Sequence, residues 1–533
     1  MPPLPRRALV GATAAATAAA LARPALAQGD AARVLRFVPQ ADVTALDPLN
    51  TTSYAVRDHG HMCWDGLYGV DEAMRPRPQL AEGHEVADDG RRWTFTLRAG
   101  PTFHDGEPVR AADAVASVRR WMARDAHGQT LAARLDEMRA LDDRRFEMRL
   151  KRPFGAMLDA LGKASSYPCF VMPERFAATE ATRAFSEVVG SGPYRFVAGE
   201  RVSGSVVVYQ RYERYSPAPA DVAPSLTAGP KIAAFERQEW RVMPDPATAA
   251  AALQAGEVDW WQQVAPDLRP LLARARGVAL DRVDAGGFCA MLRPNHLHPP
   301  FDDPAVRRAL LPALSQADFM ASIMGAERTL WRDGVGAFPP GGPFATEAGL
   351  EAISGPRDVE AARRALREAG AAGAKAVVIH PTDVTNNNAL TTVAVDLMRR
   401  VGLDAESATS DWGTALQRRA NRSPPAQGGW NAIVALFGGM DLSSPAGHPL
   451  LRGNGEGAWF GWPSAPRLEE LREAWFDAPD PDAQRALGRE IGAQFWRDLP
   501  YWPLGQYFID TAHRRAITGL RRGMALPLNV RPA

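Results

Sequence analysis

The sequence predicts an α/β protein built as two lobes with an inserted subdomain. Three observations carry this reading. The chain is 533 residues long, enough for several ordinary domains. Strand, helix and strand patterns follow one another between residues 358 and 406. Earlier segments instead alternate apolar and polar side chains in the manner of hairpins.

Arg92-Trp93-Thr94-Phe95-Thr96-Leu97-Arg98 alternates as a half-buried strand does, and Gly100-Pro101 closes it. Asp113 opens a helical stretch through Trp121, with Val115, Val118 and Met122 at helical spacing. Val206-Val207-Val208-Tyr209 reads as a strand. Asp358 caps a helix carrying Ala362, Ala365, Leu366 and Ala369, and Gly370 stops it. Ala376 to Ile379 follows as a buried strand, Asn388 to Arg400 as a helix, and Leu403 to Glu406 as a second strand. That order favours parallel pairing. Two amphipathic helices are expected around Leu468 to Phe476 and Asp482 to Trp496.

Composition narrows the function. Hydrophobic residues make up 46% and charged residues 23%, which suits a folded protein with a large core. Lysines plus arginines number 62 and aspartates plus glutamates 61, with no basic block, so nucleic acid is not an expected partner. Arg6 and Arg7 precede an alanine-rich stretch from Ala8 to Ala22, and Ala25-Leu26-Ala27 offers small residues for cleavage. Residues 1–27 therefore read as an export signal of twin-arginine character, with a general secretory signal as the alternative. Cleavage removes three arginines and no acids, leaving 59 cations against 61 anions. No cysteine follows the cleavage site, so a lipoprotein anchor is not expected. Cys63, Cys169 and Cys289 are read as small core residues, with one disulfide as the alternative in an oxidising compartment.

Catalytic patterns are missing from the sequence. It holds no GxSxG elbow, P-loop or HExxH, and the acid pairs Asp88-Asp89, Asp142-Asp143 and Asp302-Asp303 read as turns and caps. His59, His61 and Cys63, with His296 and His298, have the alternating spacing of metal ligands on a strand. Placed on a helix, residues two apart point to different sides. Metal binding and ordinary core or surface histidines both stay open on this pattern.

A longer ordered pattern decides the class. It runs from Leu80-Ala81-Glu82 through Asp88-Asp89-Gly90, Trp93-Thr94-Phe95, Leu97-Arg98 and Phe103-His104-Asp105-Gly106 to Pro108-Val109 and Ala112-Asp113-Ala114-Val115. Leu46-Asp47-Pro48, Gly190-Ser191-Gly192-Pro193-Tyr194, Leu253 to Asp259, Asn295 with Pro300 to Leu310, and Leu499 to Leu504 fall in the same order. Together these segments resemble the dipeptide, oligopeptide and nickel-type extracellular solute-binding proteins of family five.

The resemblance implies a two-lobed periplasmic binding protein of the class II type, hinged between its lobes. Lobe one is expected from 30–70, 191–285 and 500–533, the inserted subdomain from 71–190, and lobe two from 286–499. The chain is expected to cross between lobes near Gly286-Gly287 and near Leu499. Implied too are export to the periplasm, a small solute or peptide as ligand, an ABC permease with its ATPase as partners, a monomeric state and no cofactor. A metal or metal-chelate receptor is the alternative, and a secreted hydrolase a more distant one.

For the ligand site the resemblance points to Asp441, in Phe437-Gly438-Gly439-Met440-Asp441, as captor of a peptide amino group. Its spacing to Pro445 departs by about one residue from the family pattern, and a turn aspartate is the other reading. Trp430 is either an aromatic wall or a core residue. His380-Pro381-Thr382-Asp383 lacks the arginine with which dipeptide binders grip a carboxylate. Asp383 is either a partner of Asp441 in an acidic pocket or a helix N-cap. Thr51, Thr52, Ser53 and Tyr54, and Gln506 with Tyr507, are expected to face the cleft.

Overall fold

The computed structural model describes residues 33–478 and 480–533, so the export segment expected at 1–27 lies outside the described residues. Two large sheets organise the chain. The first has seven strands, in spatial order Val278–Asp281, Thr511–Arg514, Trp260–Trp261, Val34–Val38, Arg237–Arg241, Val206–Arg211 and Tyr194–Phe196. The second has six, in order Trp331–Arg332, Trp502–Tyr507, Phe288–Pro294, Ala432–Gly438, Lys375–Pro381 and Asp404–Ser410.

Local chemistry explains the α/β stretch. The Asp358 carboxylate accepts the Ala361 N–H at 2.8 Å and caps the Val359–Glu368 helix. Lys375–Pro381 then enters the sheet with Ala376 to Pro381 buried, as a strand covered on both faces must. The Thr385–Val401 helix carries the chain over, stops at the left-handed Gly402, and delivers Asp404–Ser410 parallel to Lys375–Pro381.

A third sheet, of four antiparallel strands, is inserted early in the chain. Its order is Ala81–Ala87, Arg92–Leu97, Arg145–Leu150 and Leu135–Ala140. Trp93, Phe95 and Leu97 are buried on one face, the alternation that the sequence predicts, and Phe95 stacks on Phe146 at 5.0 Å. The adjoining helix begins at Ala111 rather than at Asp113. Asp113 sits one turn inside and accepts the Arg110 N–H at 2.8 Å, so a capping acid marks the start from within. This insert packs on the second lobe: Phe154 stacks on Phe476 at 5.6 Å. The buried Arg134 meets Glu473 at 2.8 Å and Asp477 at 3.1 Å.

The family-type motifs do architectural work. Asp47 takes both terminal nitrogens of Arg120, at 3.2 and 2.6 Å, and the Leu49 N–H at 3.0 Å. Neither member of that ion pair is more than 1% exposed. Gly190 passes so close to the end of the Tyr54–Cys63 helix that a Cβ there would lie 1.8 Å from the Cys63 carbonyl oxygen. Cys63, Cys169 and Cys289 are all buried and unpaired, so the disulfide alternative is set aside.

One expected boundary moves. The first crossing between lobes falls at 282–287, between strands of the two large sheets. The return crossing does not lie near Leu499. Trp502–Tyr507 is hydrogen-bonded to both Phe288–Pro294 and Trp331–Arg332, deep in the second sheet, and the chain returns only at 508–510. The closing motif is a strand in either lobe by its composition, and its partners settle which.

Candidate functional site

The two crossings lie side by side, and the space beside them is hollow. A cavity of about 750 Å³ is walled by Arg282 to Gly286 from the first crossing and by Arg332, Pro339 to Pro343 and Gln506 from the second lobe. Glu72 to Met74 close it from the insert, and Arg522 with Gly523 from the C-terminal stretch. A second cavity of about 290 Å³ continues from it toward the insert, past Asp159, Lys163, Phe344 and Trp475. A third, of about 50 Å³, lies against Tyr54, Arg57 and Phe288. Met440 lines all three, so the spaces meet at one flexible, polarizable side chain.

Tyr54 and Asp441 join the lobes at this junction. The Tyr54 hydroxyl donates to Asp441 Oδ2 at 2.5 Å and accepts the Gly438 N–H at 2.7 Å. Asp441 Oδ1 accepts the Ser166 N–H at 3.0 Å, so this one carboxylate touches the first lobe and the insert. Burial, and then the neighbouring Asp441 charge, hold the Tyr54 phenol far above its ordinary range. The Arg57 guanidinium lies 4.7 Å from the Tyr54 ring centroid and pairs with the buried Asp58 at 2.8 Å.

The charged groups of the cavities differ in how far they are already engaged. Arg282 is held by Asp510, with Nη2 at 3.0 Å from Oδ1. Asp284 accepts the Gly286 and Gly287 N–H groups at 2.9 and 3.1 Å, and burial pushes its carboxyl up to about 6. Burial likewise pushes Asp159 up to about 6. Gln506 donates to the Gly286 carbonyl at 2.5 Å, tying the returning strand to the first crossing, while its Oε1 is buried without a partner among the described residues.

The residues expected from sequence divide. Tyr54, Asp441 and Gln506 are brought together around the crossings. Ser53 occupies the N-cap position of the Tyr54–Cys63 helix, and Thr52 is exposed and lines none of the three cavities. Trp430 is fully buried in a cluster with Ile379, Ala415, Ile433 and Trp462, and its indole N–H donates to Arg419; it is a core residue and no wall. Asp383 is exposed and accepts the Trp412 N–H at 3.1 Å at the start of the Trp412–Arg419 helix. It therefore neither faces Asp441 in an acidic pocket nor caps its own helix, whose N-cap is Val384.

The histidine pairs do not converge either. His59 and His61 ride on the Tyr54–Cys63 helix. His59 Nδ1 meets the Tyr209 hydroxyl at 2.8 Å, whereas His61 packs on Phe170. His296 and His298 meet the carbonyls of Pro500 and Arg422. Among the described residues no group of three or more His, Cys, Asp or Glu side chains is arranged to hold a metal ion. Arg332, Arg522 and Asp284 were not legible as site residues, because no motif marks them and only the fold brings their segments together.

The sequence profile of the bacterial extracellular solute-binding proteins, family 5 Middle, matches residues 75–455. A probable peptide ABC transporter periplasmic-binding protein, y4tO of Sinorhizobium fredii, is 33% identical over 525 residues, covering 95% of each chain. The glutathione-binding protein GsiB of Salmonella choleraesuis is 24% identical over 490 residues, 90% of each. The solved structure of DppA from Helicobacter pylori, in complex with peptide STSA, superposes with a TM-score of 0.76 at 20% identity, over 94% of this chain and 98% of that one. NikA from Brucella suis, in complex with Fe(III)-EDTA, gives 0.74 at 19%, over 94% and 100%.

Proposed function

The chain belongs to family 5 of the bacterial extracellular solute-binding proteins, and from that premise we propose that it captures a peptide or peptide-like solute between its lobes for an ABC importer. The carrying observation is the cavity of about 750 Å³ at the crossings, walled from both lobes and the insert, within the size range of small-ligand sites. Solute bridging both walls favours the closed arrangement, because only that arrangement offers every contact at once. The Tyr54–Asp441 bond is positioned to hold the lobes while this happens.

The role is binding without catalysis. The protein acts in the periplasm as a monomer, hands its solute to a membrane permease driven by an ATPase, and uses no cofactor and no nucleic acid. The peptide-related names of the 33% and 24% identical relatives support this solute class. A metal-chelate role has less support, since His59, His61, His296 and His298 do not converge.

A thermal-shift screen of the mature protein against di- to pentapeptides, amines, oligosaccharides and metal chelates tests the reading. A peptide at 100 times its Kd stabilises the native state by about 2.7 kcal/mol. Stabilisation by another class, with none by peptides, overturns it.

A further inference from the structure

Five charged side chains line the cavity of about 750 Å³, and two of them are cations without a carboxylate partner among the described residues. Arg332 and Arg522 form no ion pair and donate no side-chain hydrogen bond among the described residues. Arg282, in the same wall, is neutralised by Asp510. The two carboxylates that share the space, Asp284 and Glu72, pair with neither arginine; Asp284 is taken up by the Gly286 and Gly287 amides.

The two arginines come from different lobes. Arg332 sits on the edge strand of the second sheet, directly opposite Gln506, so the two side chains share one face. Its guanidinium lies 4.8 Å from the Phe508 ring centroid, which limits its freedom. Arg522 is on the C-terminal stretch that follows the first sheet's Thr511–Arg514 strand. Beside Arg332 is the buried, unpartnered Oε1 of Gln506, an acceptor that needs an N–H.

From this constellation we infer that the cavity at the crossings recognises the carboxylate end of its solute, with Arg332 and Arg522 gripping the anion from opposite lobes and Gln506 Oε1 accepting an adjacent N–H. A peptide C-terminus supplies both groups on neighbouring atoms. The inference rests on the reading that this cavity is the solute site. It places carboxylate recognition on residues far in sequence from His380 to Asp383, where an arginine is missing. Because the two guanidiniums belong to different lobes, an anion held by both favours the closed arrangement.

Calorimetric titration of tri- and tetrapeptides as free acids and as C-terminal amides separates the possibilities. The expected result is a Kd at least about 10-fold higher for the amide, since charge-assisted hydrogen bonds are worth about 1.5–3 kcal/mol. Arg332→Gln and Arg522→Gln should each weaken the acid toward the amide value, with a much smaller effect on the amide. Neither substitution removes an ion pair among the described residues, and unchanged thermal midpoints check that the fold is kept.

An amidated peptide bearing one glutamate that regains affinity identifies a side-chain carboxylate as the recognised anion. Equal binding of acid and amide, unaffected by either substitution, overturns the inference and leaves the peptide reading standing. If no peptide binds, succinate and glutamate are tested by thermal shift. A shift that Arg332→Gln abolishes keeps the anion site and overturns the peptide reading, and no shift overturns both.

Discussion

Tyr54→Phe is the most informative perturbation of the junction, because it deletes one oxygen and leaves the ring that packs near Phe288 at 6.0 Å. That oxygen makes two bonds. The one to Asp441 Oδ2 is short and charge-assisted, worth about 1.5–3 kcal/mol, and the one from the Gly438 N–H is neutral, worth about 0.5–1.5 kcal/mol. Their loss should therefore cost about 2–4 kcal/mol in the joined state. Native-state hydrogen exchange on a peptide spanning 433–442 reads this locally, as a fall in Gly438 protection of about 30- to 1000-fold. Asp441→Ala removes the same partner together with the Ser166 contact. The double variant should fall short of additivity by at least about 1 kcal/mol, since the two side chains share one bond. Additive effects within about 0.5 kcal/mol would refute the claim that the Tyr54–Asp441 contact joins the lobes.

Three further outcomes follow from the same structure. Asp47→Asn should destabilise by about 3–5 kcal/mol in urea unfolding, because it strands the buried Arg120 guanidinium without a counter-charge; a loss under 1 kcal/mol contradicts the buried pair. Gly190→Ala should lower the thermal midpoint, with a cost of about 1–3 kcal/mol or more for displacing the Cys63 carbonyl, whereas Gly199→Ala, which meets open space, should not. Burial lowers His59, His127 and His448 to about 3, below their unfolded value of 6.5. The unfolded chain binds protons first, so their contribution is complete above pH 6.5 and shrinks as pH falls. Between pH 7.5 and 5 each should cost about 2 kcal/mol, partly offset by Asp159 and Asp284, whose raised carboxyls favour the folded state at lower pH. His448→Gln should flatten the melting profile over that range; an unchanged slope contradicts the assignment.

Local chemistry made much of this fold readable. The Asp358 cap, the Gly370 stop and the Ala376–Ile379 run are decided within a few residues and appear in the structure, whereas the helix read from Asn388 begins earlier, at Thr385. Asp441 could be picked out only through the resemblance to the solute-binding family, since the glycine-rich run around it reads equally as a turn. Trp430 could not be placed, since an indole suits a wall or a core equally and only the packing of Trp462 and Ile433 decides. Asp383 misled for a related reason: an acid before a helix reads as its cap, yet this one caps the approach of another helix. Arg332 and Arg522 belong to segments without periodicity, and their meeting depends on how two lobes are strung together.

That stringing has a consequence for how the chain acquires its shape during synthesis. Every strand of the second sheet lies within the continuous stretch 288–507, so that half can assemble as soon as it emerges. The first sheet cannot. Its strand Thr511–Arg514 is wedged between Trp260–Trp261 and Val278–Asp281, and it follows every other strand of both large sheets in the chain. Until then Val278–Asp281 has no neighbour in the sheet, and Trp260–Trp261 offers an open edge. The first lobe is thus closed by a strand that follows the whole second sheet in the chain, and it cannot exist as a closed body until that sheet has been made.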